Sequence, residues 1–144
     1  NSVWYGRSEE TLAGTFIFAK PDLFFVLPSG RQLCFPRATA FDNKLNYQGM
    51  NNFTHKWGWI DTYGGSLVQS ITQAVARDLL AHSLLLVEHA GYDPVLTVHD
   101  EIVADTRNDH GSLEEFSELM CALPQWAKGL PMSVESFEAQ RYRK

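Results

Sequence analysis

Hydrophobic and polar positions change period along this chain, and each change marks an element. Residues 15–35 carry short apolar runs rich in Phe, Val and Ile, broken at Pro21-Asp22 and Pro28-Ser29-Gly30. Aromatic and β-branched runs bounded by Pro, Gly, Asp and Ser read as strands joined by turns. Strands at 15–19, 23–27 and 31–35 are therefore predicted, in an antiparallel meander. Farther on, Leu67, Val68, Ile71, Val75, Leu79 and Leu86 recur at helical steps and form one apolar stripe. That spacing predicts a long helix from a cap at Asp61 or Thr62 to about His89, with Gly91 placed for a left-handed C-terminal residue. Ser112 opens a second helix, predicted over 112–123. Glu114 and Glu115 lie in its first turn, where the helix dipole favours anions, and Pro124 stops it. Residues 132–136 read as a last strand. Residues 43–59 show no steady period and read as an irregular connection, whose length raises the chance of a binding role, although tryptophans such as Trp57 and Trp59 more often plug a core edge. The sum is α+β: an antiparallel sheet with helices packed on one side.

The length of 144 residues suits one compact domain, and 44% hydrophobic residues suffice for its core. No apolar run is long enough to span a bilayer, and no signal-peptide pattern opens the chain, so no membrane role is expected. Cys34 and Cys121, far apart in apolar surroundings, read as reduced core thiols of a cytoplasmic protein. A net charge of −5 argues against a free-standing nucleic-acid binder, because phosphate affinity comes mostly from Lys and Arg. Arg31 and Arg37 flank an aromatic strand, and Arg141, Arg143 and Lys144 form a basic tail of the kind that is usually a solvated end.

The chemistry concentrates at His99-Asp100-Glu101. Val95-Leu96-Thr97-Val98 leads into the triplet and Ile102-Val103-Ala104 leads out. Both flanks read as strands, yet the tip lacks the Asn-Gly or Asp-Gly pair that a tight hairpin favours. Three ionisable residues there either solvate a hairpin end or serve a reaction.

Four stretches, in order, carry a resemblance. His99-Asp100-Glu101 on its hairpin is similar to the C-terminal palm motif of family A DNA polymerases, the DNA polymerase I-like family. Residues 27–36, Leu-Pro-Ser-Gly-Arg-Gln-Leu-Cys-Phe-Pro, resemble the Gly-Arg-Arg-Leu-Tyr-type strand that follows that family's fingers. Thr62-Tyr63-Gly64-Gly65 and the helix over 67–80 resemble the helix before the motif, especially in bacteriophage-type members. Residues 129–144 resemble the phage-type C-terminus. The likeness runs from about Phe24 onward.

The resemblance implies half of a polymerase palm that takes part in two-metal nucleotidyl transfer. Its partners would be primer-template DNA, deoxynucleotides and the remainder of the polymerase chain. Asp100 matches the family's metal-binding aspartate, with Mg2+ as the metal. Glu101 takes a secondary place in the metal shell, since successive side chains of an extended backbone point to opposite faces. His99 would orient the primer end. Gln69 aligns with a glutamine that touches the minor groove, although the Gly-Thr that follows it in the family is absent here. Arg31, Gln69 and His99 are thus the DNA-binding candidates, and Asp100, Glu101 and His99 the catalytic ones. The family's other palm aspartate and its nucleotide-gripping Lys/Tyr helix have no match in the chain, so the two-metal site would be completed by residues outside it. The chain, which opens on Asn1-Ser2, reads as a fragment, an excised domain or a catalytically dead remnant acting as an interaction domain. A metal-dependent nuclease or other hydrolase built on His99, Asp100 and Glu101 remains the alternative, although His55, His82, His89 and His110 lie in no metal-ligand setting.

Overall fold

The computed structural model describes residues 8–11, 14–42 and 44–142. The fold is α+β, with antiparallel sheets and two α-helices. Its contacts divide into two compact units, residues 1–75 and 76–144.

The first unit opens with β1 (Ser8–Thr11), β2 (Gly14–Ala19), β3 (Asp22–Val26) and β4 (Gln32–Phe35), an antiparallel sheet in chain order. The meander expected from the Pro and Gly breaks is therefore present, extended by β1. Period-2 alternation sets its inner face: Leu23, Phe25 and Leu27 are buried, while Phe16 meets Phe25 edge-on at 4.6 Å. Cys34 departs from the core reading. Leu33 and Phe35 point inward, so Cys34 between them is exposed, and both cysteines are free thiols.

A second sheet, β5 (Thr39–Phe41), β6 (Lys44–Met50) and β7 (Trp57–Thr62), occupies most of the stretch expected to be irregular. The pattern was disguised because both faces carry apolar residues. Leu45 and Tyr47 pack onto the core, where Phe35 meets Tyr47 at 5.2 Å. Trp57 and Trp59 lie on the opposite face and are exposed rather than plugging a core edge. Helix α1 (Gly64–His89) begins one or two residues later than the expected cap at Asp61 or Thr62 allows, because both of those residues still belong to β7. Its Ile71 and Ala74 close the core of this unit.

The second unit contains the C-terminal part of α1, then β8 (Asp93–Val98), β9 (Glu101–Asp105) and α2 (Leu113–Cys121). Helix α1 ends in a Schellman closure. Tyr92 N–H donates to the Val87 carbonyl at 3.1 Å, Gly91 N–H donates to Glu88 at 3.0 Å, and Gly91 takes φ 90. Ser112 caps α2 by accepting from Glu115 N–H at 3.1 Å. Leu80, Val87, Tyr92 and Met120 form the core. Ser83, 1% exposed, donates to the carbonyl of Leu79 or Met120, which ties α1 to the end of α2.

The strand expected at 132–136 does not form. Those residues have no regular structure, with Met132, Val134 and Ser136 partly buried between exposed neighbours, and they join no ladder. Val134 packs on the core and the Ser136 hydroxyl bonds that of Ser117, so side-chain anchoring replaces strand pairing. Of the expected basic tail, Arg141 is exposed, while Arg143 and Lys144 lie outside the described residues.

Two glycines separate backbone strain from collision. Gly30 (φ 87) has open space where a Cβ would stand, whereas a Cβ on Gly111 (φ 68) would run into the Tyr92 hydroxyl. Gly30→Ala should cost about 1 kcal/mol of left-handed strain. Gly111→Ala should cost clearly more, because it must also displace Tyr92 from its hydrogen bonds to Ser112 and Glu115. Urea midpoints of the two variants check this ordering.

Candidate functional site

The β8–β9 ladder positions the ionisable triplet. Val98 pairs with Glu101, so only His99 and Asp100 turn the chain. A two-residue hairpin loop needs positive φ at its first central position or at both, which glycine normally supplies. Here His99 supplies it, at φ 55. Histidine is among the few non-glycine residues enriched in that region, yet the conformation still stores strain. The strands beneath hold the tip in this register: Ile102 and Ala104 pack on the core of their unit, and Val95 bulges out between the Pro94 and Leu96 pairs.

His99, Asp100 and Glu101 are all exposed. Asp100 stands in the turn and Glu101 on the first residue of β9, so adjacent carboxylates leave the backbone from different local geometries. No hydrogen bond or ion pair joins the Asp100 carboxylate to another described residue.

Glu101 does have a partner. The Tyr142 hydroxyl donates to its Oε2 across 3.3 Å, a long contact for an O–H donor. Partial withdrawal from solvent raises the Tyr142 pKa above the usual phenol value, and the Glu101 charge and hydrogen bond raise it further. Spacing gave no sign of this contact, because Tyr142 is 41 residues away in a segment without regular structure.

The remaining candidates belong to the first unit. Gln69 is exposed on the first half of α1. The Arg31 guanidinium donates from Nη2 to the Ala74 carbonyl at 3.0 Å, which binds the end of the meander to the helix. Among the described residues, no group of three or more His, Cys, Asp or Glu side chains is arranged to hold a metal ion. No helix among them is long and apolar enough to cross a membrane.

The chain is similar to a phage DNA polymerase. It is 39% identical over 136 residues to the DNA polymerase of Bacillus phage SP02, a match covering 90% of this chain and 21% of that relative. The chain thus spans about a fifth of the relative's length. No family model matches it, and no solved structure does.

The Tyr142–Glu101 contact makes a direct spectroscopic prediction. Glu101→Gln removes the negative charge, so the Tyr142 ionisation should move to lower pH, toward the ordinary phenol value near 10. The part of the shift due to burial should remain. Alkaline difference absorbance, corrected with Tyr142→Phe, reads it. An unchanged titration would mean that the two side chains do not meet in solution.

Proposed function

We propose that this chain is the C-terminal palm portion of a phage-type family A DNA polymerase and supplies one carboxylate cluster to a two-metal nucleotidyl-transfer site. The observation that carries this reading is an exposed His-Asp-Glu turn on a strained two-residue hairpin, in a chain related to a DNA polymerase. A turn chosen for stability alone would place glycine where His99 stands.

Magnesium takes oxygen ligands, commonly one or two carboxylates together with waters and substrate phosphates. Asp100 fits that donor set: its carboxylate is exposed and bonds no other described side chain. Glu101, engaged by Tyr142, is suited to orienting ligands around the ion rather than gripping it. A full clamp needs carboxylates beyond these two, which fits a chain spanning about a fifth of its relative. When bound, the ions would stabilise the negative charge that shifts between attacking and leaving oxygens. His99 can donate to the primer end, and the exposed Gln69 amide can test base-pair geometry from the minor groove. Arg31 is the weaker DNA-contact candidate, since its guanidinium already serves the Ala74 carbonyl. A self-sufficient hydrolase would need a third ligand, and none among the described residues stands with Asp100 and Glu101.

The decisive substitution is Asp100→Ala in a complete polymerase containing this segment. Turnover should fall at least about 100- to 1000-fold, the loss seen when one well-placed electrostatic stabiliser is removed. Primer-template affinity should change far less, because backbone contacts elsewhere dominate it. Glu101→Ala and His99→Ala should both be milder. Near-normal turnover of Asp100→Ala at saturating magnesium would remove Asp100 from the metal site.

The chain by itself, lacking the partner aspartate, should not extend a primed template with magnesium and deoxynucleotides. Templated extension by the pure chain, followed on a denaturing gel, would overturn the reading that the site is incomplete.

A further inference from the structure

We propose that the loop end of the β6–β7 hairpin is a stacking site for unpaired bases of single-stranded DNA. Four large apolar side chains are exposed there: Phe53 at 95%, Trp57 at 62%, Trp59 at 56% and Met50 at 52%. The ladder gathers three of them on one face. Met50 lies opposite Trp57 and Gln48 opposite Trp59, and the two tryptophans, two residues apart, point the same way. The other face of the same strands already packs on the core through Leu45 and Tyr47. Core packing therefore does not account for the tryptophans, and a contiguous exposed patch of this kind marks an interaction site.

The loop is built to hold its aromatic tip. The Asn51 side-chain oxygen accepts from Phe53 N–H at 2.9 Å and from Thr54 N–H at 3.0 Å. His55 N–H donates to the Asn51 carbonyl at 2.8 Å, and Asn51 N–H to the Lys56 carbonyl at 2.9 Å. His55 sits at φ 52 to complete the turn. Phe53 is thus presented by a preorganised backbone, which lowers the ordering cost of binding.

Charge selects the occupant. The chain carries 17 acidic residues and a net charge of −5, yet residues 47–60 contain no Asp or Glu and do contain His55 and Lys56. Asp61 shares the tryptophan face but lies two residues beyond Trp59, away from the loop. The loop end itself, with Lys56, aromatic rings and amides and no acid, complements a polyanion whose flat bases are available to stack. Single-stranded nucleic acid has that chemistry, and aromatic platforms beside basic residues are how proteins track it. In a duplex the base faces are already covered, so the site should discriminate strongly between the two forms. The choice of DNA over RNA rests on the polymerase reading, whereas the stacking site itself does not.

The test is a titration of the 144-residue chain with a short labelled single strand, its duplex, and an abasic strand of equal length. Fluorescence anisotropy and tryptophan quenching are the readouts. The single strand should bind best. Trp57→Ala, Trp59→Ala and Phe53→Ala should each weaken it by about 5- to 150-fold, the range for loss of one stacked base. Trp57→Phe, which keeps a ring, should retain most of the affinity. Lys56→Gln should reduce the logarithmic salt slope by about 0.7. Equal binding of the abasic strand, or unchanged affinity in the alanine variants, would overturn the proposal. So would an absence of single-strand binding together with a dimer that Trp59→Ala dissociates in sedimentation, which would assign the face to a second copy. None of these readouts involves catalysis, so they stand apart from the turnover of Asp100→Ala.

Discussion

One phenol hydroxyl closes the unit that carries the His-Asp-Glu turn. Tyr92 directly follows the Schellman glycine of α1 and directly precedes β8, so its position sets where the site hairpin leaves the helix. Its hydroxyl accepts from Ser112 N–H at 3.1 Å and donates to the Glu115 carboxylate at 2.9 Å, which fixes the start of α2 at the same point. The ring packs edge-on against Phe116 at 5.0 Å. A 5% exposed tyrosine whose polar end is satisfied gains from burial without leaving an orphaned group. The tip at His99 depends on this junction, because a two-stranded ladder alone is marginal in water.

What could be read from sequence was whatever depended on local spacing. Gly91, Ser112 and the strands flanking His99 each carry a short-range signal, and each lies where that signal put it. Long-range features were hidden. Trp57 and Trp59 looked like core residues because sequence does not say which face of a strand is already occupied, and the core side was taken by Leu45 and Tyr47. Residues 132–136 have strand-like alternation, but they join none of the described ladders and are held by side chains instead. Tyr142 reaches Glu101 only through the path of the C-terminal segment, which leaves no mark on the residues themselves.

Backbone strain falls on turns. The described non-glycine residues with positive φ are Arg37, Asp42, His55 and His99, and the two histidines sit at the loop ends of β6–β7 and β8–β9. Each left-handed residue is held by the pairs and hydrogen bonds around it rather than by its own preference. At His55 the cost maintains an aromatic tip, and at His99 it maintains a carboxylate tip. Both are rigid presentations of side chains that neither core uses.

The β8–β9 ladder also has a consequence for handling the protein. Among the described residues it contains two strands, so each strand has an outer side whose amides and carbonyls meet no third strand. Val95 is 62% exposed and Leu96 is 46% exposed along β8. An open edge with apolar side chains is a template onto which any extended segment can zip. The bulge at Val95 and the acidic ends Asp93 and Asp105 oppose this by breaking the regular repeat and placing like charges at the ladder's mouth. Raising the chain concentration therefore shifts the balance at this edge from solvation toward pairing with another extended segment.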